Sequence, residues 1–218
     1  MIDSLLNLDS DLLIAINGMH SDYLDAFMWT VSKTYSWALI ALVAITVNAR
    51  KGWKPLLFFV LALAVAVLLA DQVSSSIIKH AVERLRPTHD PHLEGMLHLV
   101  RDYRGGLYGF VSSHAANSMA IAILVGCMLP HRAALCSLLA WTCLQCYSRM
   151  YLGVHYPGDI LGGIVVGLLA GAIAYRAWRY AMVRWSTVNE PLFTTRDSHA
   201  VTAAVWASVA VLATAAAI

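Results

Sequence analysis

Ionisable side chains gather in three short segments of this chain. In Ser148–Asp159 (SRMYLGVHYPGD), His155 and Asp159 stand four residues apart across a tight connection. A carboxylate that accepts the Nδ1–H of an imidazole fixes its tautomer and leaves Nε2 free as nucleophile or base. Arg149, just upstream, adds a permanent, fork-shaped cation suited to phosphate. In Phe110–Asn117 (FVSSHAAN), Ser112 or Ser113 is a helix N-cap and His114 falls in the first turn after it. Unsatisfied backbone N–H groups at such an end form an anion site. Gly105, Gly106 and Gly109 let the preceding loop approach closely. In Lys79–Pro87 (KHAVERLRP), Lys79 and Arg86 are two helical turns apart, and Pro87 stops the helix and biases Arg86 toward an extended conformation. Each segment alone has a plainer structural reading: cations snorkelling at a helix C-terminus with Glu83 pairing with Lys79, a simple cap, a structural histidine. Histidine, arginine and aspartate together in one short connection favour chemistry on an anion.

The elements that must position these residues are apolar. The 218 residues are 59% hydrophobic and 13% charged, with a mean hydropathy of +0.64. Soluble domains carry about 25% charged residues, so an ordinary water-soluble enzyme and a disordered tail are excluded. A net charge of +2 is too small for tracking a nucleic-acid backbone. Six stretches approach the roughly 20 apolar residues that a membrane-spanning helix needs: Leu24–Asn48, Pro55–Ile78, Ala115–Leu129, Ala133–Tyr147, Gly158–Met182 and Ala200–Ile218. The third and fourth are short, so their ends extend into neighbouring loop residues. Leu5, Leu6, Leu8, Leu12, Leu13 and Ile16, with Asp3, Asp9 and Asp11 on the polar side, read as an interfacial helix. A basic leader and a small-residue cleavage site are missing from this segment, so it does not read as a cleaved signal peptide. The pattern predicts an all-α, polytopic membrane helix bundle of about six transmembrane helices plus an N-terminal interfacial helix. It forms one membrane-embedded domain over 1–218, with its chemical core at 79–159.

Cytoplasmic loops tend to hold the excess Lys and Arg. Arg50, Lys51, Lys54, Arg132, Arg176, Arg179, Arg184 and Arg196 fall on one side of a six-span arrangement. Lys33, Lys79, Arg84, Arg86, Arg101, Arg104 and Arg149 fall on the other, and three of these are assigned to a ligand. The long loop from Lys79 to Phe110 and the loop around His155 therefore face outward. Cys127, Cys136, Cys143 and Cys146 all lie in the third and fourth apolar stretches, where cysteine behaves as a small hydrophobe. Gly163, Gly167 and Gly171 read as a helix-packing face. Asp71, Gln72 and Asn117 read as hydrogen-bond partners near the site.

Lys79-x6-Arg86-Pro87, Ser112-Ser113-His114 and Ser148-Arg149-x5-His155-x3-Asp159 resemble the three signature motifs of the type 2 phosphatidic acid phosphatase superfamily. They occur in the family's order, within 79–159. The second motif usually reads Pro-Ser-Gly-His there and reads Val111-Ser112-Ser113-His114 here, so a fixed entry angle is lost and a side chain is added beside the anion.

The resemblance implies a metal-independent phosphatase without a cofactor. His155, oriented by Asp159, attacks phosphorus and forms a phosphohistidine; His114 protonates the leaving oxygen and then activates water. Lys79, Arg86 and Arg149, with N–H groups near Ser112 and Ser113, hold the phosphoryl oxygens. Tyr103, Tyr108, Phe110, Tyr151 and Tyr156 flank the site and suit a bilayer interface, where a lipid phosphate arrives laterally. The expected partners are a lipid phosphate substrate and the membrane, with no nucleic acid and no obligatory protein partner. Undecaprenyl pyrophosphate, phosphatidylglycerol phosphate and a lipid A phosphate all fit, acted on at the outer face of the inner membrane. Rival readings are a lipid phosphotransferase using the same site, a non-catalytic anion-binding membrane protein, and an intramembrane serine hydrolase built on Ser112 or Ser113. A zinc enzyme drawing on His80, His89, His92, His98, His114 and His155 is a further rival, although these spacings match no zinc pattern.

Overall fold

The computed structural model describes residues 2–185 and 192–217; Ile218 and the side chain of Asp3, both used in the reading above, lie outside the described residues. The described chain is all-helical. Nine α-helices run in order: α1 (Ile2–Asn17), α2 (Asp22–Val31), α3 (Ala38–Ala49), α4 (Trp53–Asp71), α5 (Lys79–Val82), α6 (Ser113–Met128), α7 (Arg132–Tyr151), α8 (Pro157–Trp185) and α9 (Thr195–Ala215). Their starts follow from sequence. Ser21 caps α2 through Leu24 N–H, Pro157 opens α8, and Thr194 with Asp197 forms a reciprocal capping box on α9.

The six-span count is not reproduced. Three segments among the described residues are long and apolar enough to cross a membrane: Trp53–Val82, Pro157–Trp185 and Thr195–Ala215. A fourth is available if Asp22–Val31 and Thr34–Ala49 count as one, but the two halves are bent by 71°. The straight span expected over Leu24–Asn48 is therefore broken. The break is held from outside the helix: Ser36 Oγ and Gln145 Nε2 donate to the Val31 carbonyl at 2.9 and 2.8 Å, occupying an acceptor that a continuous helix would use itself. At 16 residues α6 stays short. α7 reaches 20 residues but carries Gln145, Ser148 and Arg149 in its last turns.

The second span runs four residues beyond its expected end. From Gln72 to Ile78 the turns widen to π-type and then α5 carries Lys79. Such wide turns rotate everything that follows, and here they swing Lys79 toward α6. The helix stops at Val82, where Glu83 caps it in the left-handed region (φ 51°). Arg86 lies past that stop rather than on the same helix. No Lys79–Glu83 ion pair forms among the described residues.

α8 packs along α6 on its glycines. A Cβ on Gly163 would collide with the Ser112 carbonyl, one on Gly167 with that of Ala116, and one on Gly171 would sit 2.6 Å from that of Ala120. The small-residue face thus sets how closely the two site-bearing helices approach. Outside, Leu61, Leu68, Leu161, Val165, Leu169 and Trp206 stay exposed, an apolar belt that suits lipid. Cys127, Cys136 and Cys143 are on that exposed surface and only Cys146 is buried. On α1, Leu5, Leu8 and Leu12 remain exposed while Leu13 is buried against Leu93 and Tyr156.

Candidate active site

The three segments meet at one end of the bundle. Gly153 ends α7 in the left-handed conformation (φ 69°), its N–H donating to Met150 O and Val154 N–H to Arg149 O. This closure carries His155 out of α7 and straight into α8. His155 and Asp159 are 1% and 0% exposed, with Nδ1 of His155 3.3 Å from Oδ2 of Asp159. The same carboxylate oxygen accepts Tyr156 N–H at 3.1 Å.

Nε2 of His155 lies 3.2 Å from Nη1 of Arg86. A guanidinium can only donate, so Nε2 accepts, the ring proton sits on Nδ1, and the imidazole is neutral. Burial, then the charges of Arg86, Arg149 and Lys79, hold the His155 pKa well below the ordinary histidine value. Arg86 is extended (ψ 154°), as Pro87 requires. Its Nε and Nη1 donate to the carbonyls of Tyr108 and Val154, and burial, followed by the charge of Arg149, lowers its pKa.

Ser112 is the N-cap of α6, its Oγ accepting Ala115 N–H, and its own N–H donates to Asp159 O at 3.0 Å. Ser113 Oγ accepts from Lys79 Nζ at 2.9 Å and lies 2.8 Å from Ser75 Oγ. His114 sits among the same three cations, Arg149, Arg86 and Lys79, that surround His155. Arg149 is 2% exposed. Its Nη2 donates to Tyr103 Oη at 3.3 Å, and its buried Nε has no partner among the described residues.

The charge balance is uneven. No carboxylate of a described residue forms an ion pair with Lys79, Arg86 or Arg149, whereas both oxygens of Asp159 are occupied, Oδ1 by Arg84 at 3.1 Å. Buried cations without counter-charge are costly, and buried Arg86 and Arg149 with half-buried Lys79 beside a neutral imidazole form an arrangement able to take a multiply charged anion.

Comparison with known proteins agrees. The PAP2 superfamily model matches residues 55–182. A lipid A 4'-phosphatase of Porphyromonas gingivalis is 33% identical over 87% of this chain and 81% of its own. One from Bacteroides thetaiotaomicron is 34% identical over 80% and 79%. The chain belongs to the PAP2 superfamily. It is a membrane phosphatase by class. The fold agrees with the crystal structure of Aquifex aeolicus LpxE, TM-score 0.57 at 22% identity over 78% of this chain and 95% of that one. It agrees also with a PAP2-type phosphatidylglycerolphosphate phosphatase from Bacillus subtilis, TM-score 0.61 at 21% identity over 84% and 89%.

Against the family pattern, the extra side chain at position 113 finds a use: it anchors Lys79. Two expected interfacial tyrosines are buried instead, because Tyr151 Oη binds Asp25 and Tyr156 Oη binds Asp90. Sequence reasoning missed Arg84 as a site residue. It bridges Asp159 to Asp9 of α1, with Nη2 2.7 Å from Asp9 Oδ2, and Asp9 Oδ1 also accepts Gly158 N–H at 2.7 Å. An i, i+4 pattern could reveal His155–Asp159, but nothing in the sequence ties position 9 to 84. Asn117 keeps its Oδ1 buried and unpaired, and Asp71 accepts from Ser75 Oγ. The serine-hydrolase reading is not favoured: Ser112 Oγ is spent on the cap, and Ser113 Oγ meets Lys79 and Ser75 rather than a histidine base. Nor do the described His, Cys, Asp and Glu residues gather in metal-binding groups of three.

Proposed function

We propose that this protein is a metal-independent lipid phosphate phosphatase using a histidine nucleophile, His155, at the outer face of the inner membrane. A phosphorylated glycolipid of the lipid A type is the substrate the similarities favour, ahead of undecaprenyl pyrophosphate and phosphatidylglycerol phosphate. The observation that carries the reading is the set of cations without counter-ions, Lys79, Arg86 and Arg149, facing a neutral His155 whose proton is held on the side of Asp159.

In the first step Nε2 of His155 forms a bond to phosphorus while the P–O bond to the lipid breaks. His114, kept protonated by the phosphoryl charge once that is bound among the cations, gives its proton to the departing oxygen. In the second, water attacks phosphorus, the P–N bond breaks, and His114 accepts the water proton. Arg86 caps the attacking lone pair in the free protein, so the phosphoryl oxygens must draw the guanidinium away as they bind. That exchange couples substrate binding to exposure of the nucleophile. The three cations then stabilise the charge spread over the transferring group. α6 and α7 complete the six crossings of this reading, with both loops of the site on one membrane face.

Phosphate release from lipid A, prenyl pyrophosphate and phosphatidylglycerol phosphate, by full-length wild type and His155→Ala in detergent with excess EDTA, tests the proposal. Release by wild type, reduced by roughly a thousandfold or more in the variant, supports it. No release from any lipid, or equal release from both proteins, overturns it. Transfer to an added acceptor lipid in place of water makes the protein a phosphotransferase.

A further inference from the structure

Two more cations stand beside the site without a carboxylate of their own. The break after α2 presents Lys33, whose Nζ lies 3.5 Å from the ring centroid of Trp29 and 5.8 Å from that of Tyr103. Arg101 reaches the same indole from the long loop, its Cζ 5.3 Å from the centroid. Trp29 and Tyr103 meet edge to face at 5.3 Å. On the inner side, Arg149 lies 5.7 Å from the Tyr103 centroid while donating to its hydroxyl. The aromatic pair therefore connects the phosphate-facing cations to an outer pair.

Burial pushes the Tyr103 phenol up, yet the charges of Arg149, Arg86 and Lys33 bring it below its ordinary value overall. One positive field thus extends from the buried site to its mouth. Neither Lys33 nor Arg101 forms an ion pair with a described carboxylate, including Asp102 next in the chain. A cation–π contact holds a cation without neutralising it. Five clustered cations, none in an ion pair with a described carboxylate, repel one another, and a ligand with more negative charge than a single phosphoryl group relieves this best. From Lys33 there is room as far as His114: a cavity of about 310 Å³ with mostly apolar walls touches both, with Thr34, Trp37, Asn117 and Gln145 in its lining.

The geometry points to a second anion subsite, in which Lys33 and Arg101, carried on Trp29, hold another anionic group of the lipid whose phosphate faces His155. The cavity takes the part of the molecule joining the two. This rests on the phosphatase reading above and narrows it to substrates with two anionic groups. The second group is either a distal phosphate on a glycolipid or the neighbouring phosphate of a pyrophosphate, and the test separates these.

The ratio of kcat/KM for a bisphosphorylated over a monophosphorylated lipid A, and for prenyl pyrophosphate over prenyl monophosphate, is measured for wild type, Lys33→Met/Arg101→Met and Lys33→Arg. A bisphosphate preference that falls about tenfold or more in the double variant and is kept by Lys33→Arg assigns the subsite to a distal phosphate. The same loss confined to the prenyl pair assigns it to the neighbouring phosphate. Equal losses on both members of each pair, or no loss in any, overturn the subsite. Inactivity of wild type on all four lipids defeats the phosphatase reading itself, an outcome distinct from these.

Discussion

Asp159→Asn is the sharpest perturbation of the site, because it changes one atom in a fully buried arrangement. Three donors converge on the Asp159 carboxylate: Arg84 Nη1 on Oδ1 at 3.1 Å, and Tyr156 N–H and His155 Nδ1 on Oδ2 at 3.1 and 3.3 Å. An amide has one oxygen. If that oxygen stays with Tyr156 and His155, the NH2 group faces the Arg84 guanidinium, donor against donor. If it turns to Arg84, the NH2 group faces Nδ1, and the imidazole can answer only by moving its proton to Nε2, the atom that attacks phosphorus in the proposed mechanism. Both choices leave a buried donor unpaired, at about 1–3 kcal/mol, and the second also removes the nucleophile. Where an aspartate orients a catalytic histidine, the same substitution has lowered kcat by roughly 10⁴-fold, equivalent to about 5.5 kcal/mol of barrier at 1.36 kcal/mol per decade. The expected result is therefore a kcat for phosphate release reduced by about three to four orders of magnitude, in a protein that still melts cooperatively. Retention of kcat within tenfold of wild type would show that Asp159 does not set the tautomer, and the nucleophile assignment would lose its basis.

Three other expectations follow from burial and packing. His155 is held below its ordinary pKa of 6.5, first by burial and then by its neighbouring cations. Between the folded and unfolded values the unfolded chain binds more protons, so stability falls as pH drops below about 6.5; denaturant unfolding from pH 7.5 to 5 is expected to show a shallower loss in His155→Gln, and equal slopes would refute the assignment. Gly167→Val places a Cβ against the Ala116 carbonyl and 2.7 Å from Met119 Cβ, which is expected to cost about 1–3 kcal/mol or more and to reduce activity by separating α6 from α8. Gly106→Ala, with nothing within 4 Å of its new methyl, is expected to change neither, as melting temperature and phosphate release will show.

What the sequence disclosed about this site was whatever is local in the chain. The α7–α8 connection was legible because Gly153, His155, Pro157 and Asp159 fall within seven consecutive residues. Ser112 announced the start of α6, and Pro87 announced the extended Arg86. The glycine face on α8 was legible as well, because its period is that of a helix. The break near Lys33 was hidden, because its cause is Gln145, more than a hundred residues away, donating to the Val31 carbonyl. Arg84 was hidden for the same reason: its partners Asp9 and Asp159 each lie 75 residues away, one on either side. Hydropathy registers apolar length alone, so it could not show the bend within Leu24–Asn48 or the polar last turns of α7.

The distribution of partners around the site shows how charge is kept available there. Lys79 is positioned by a hydroxyl relay, its Nζ donating to Ser113 Oγ, and Ser75 Oγ donating onward to Asp71. Because the one proton of Ser75 goes to Asp71, Ser113 must donate to Ser75 and offer its lone pairs to Lys79. A carboxylate at position 113 would fix the ammonium as well, but it would cancel the charge that a phosphoryl group needs. The family's usual glycine would leave the charge free and the side chain unanchored. Serine does both at the cost of one added Oγ. The same economy holds on the other side, where Tyr103 steadies Arg149 through a neutral phenol and backbone carbonyls steady Arg86. The carboxylates Asp159 and Asp9 hold Arg84 and the imidazole at the rear of the site, and Asp71 reaches Lys79 only through two hydroxyls. Neutral atoms make the direct contacts to Lys79, Arg86 and Arg149, so their charge stays available to the phosphoryl group of the proposed mechanism.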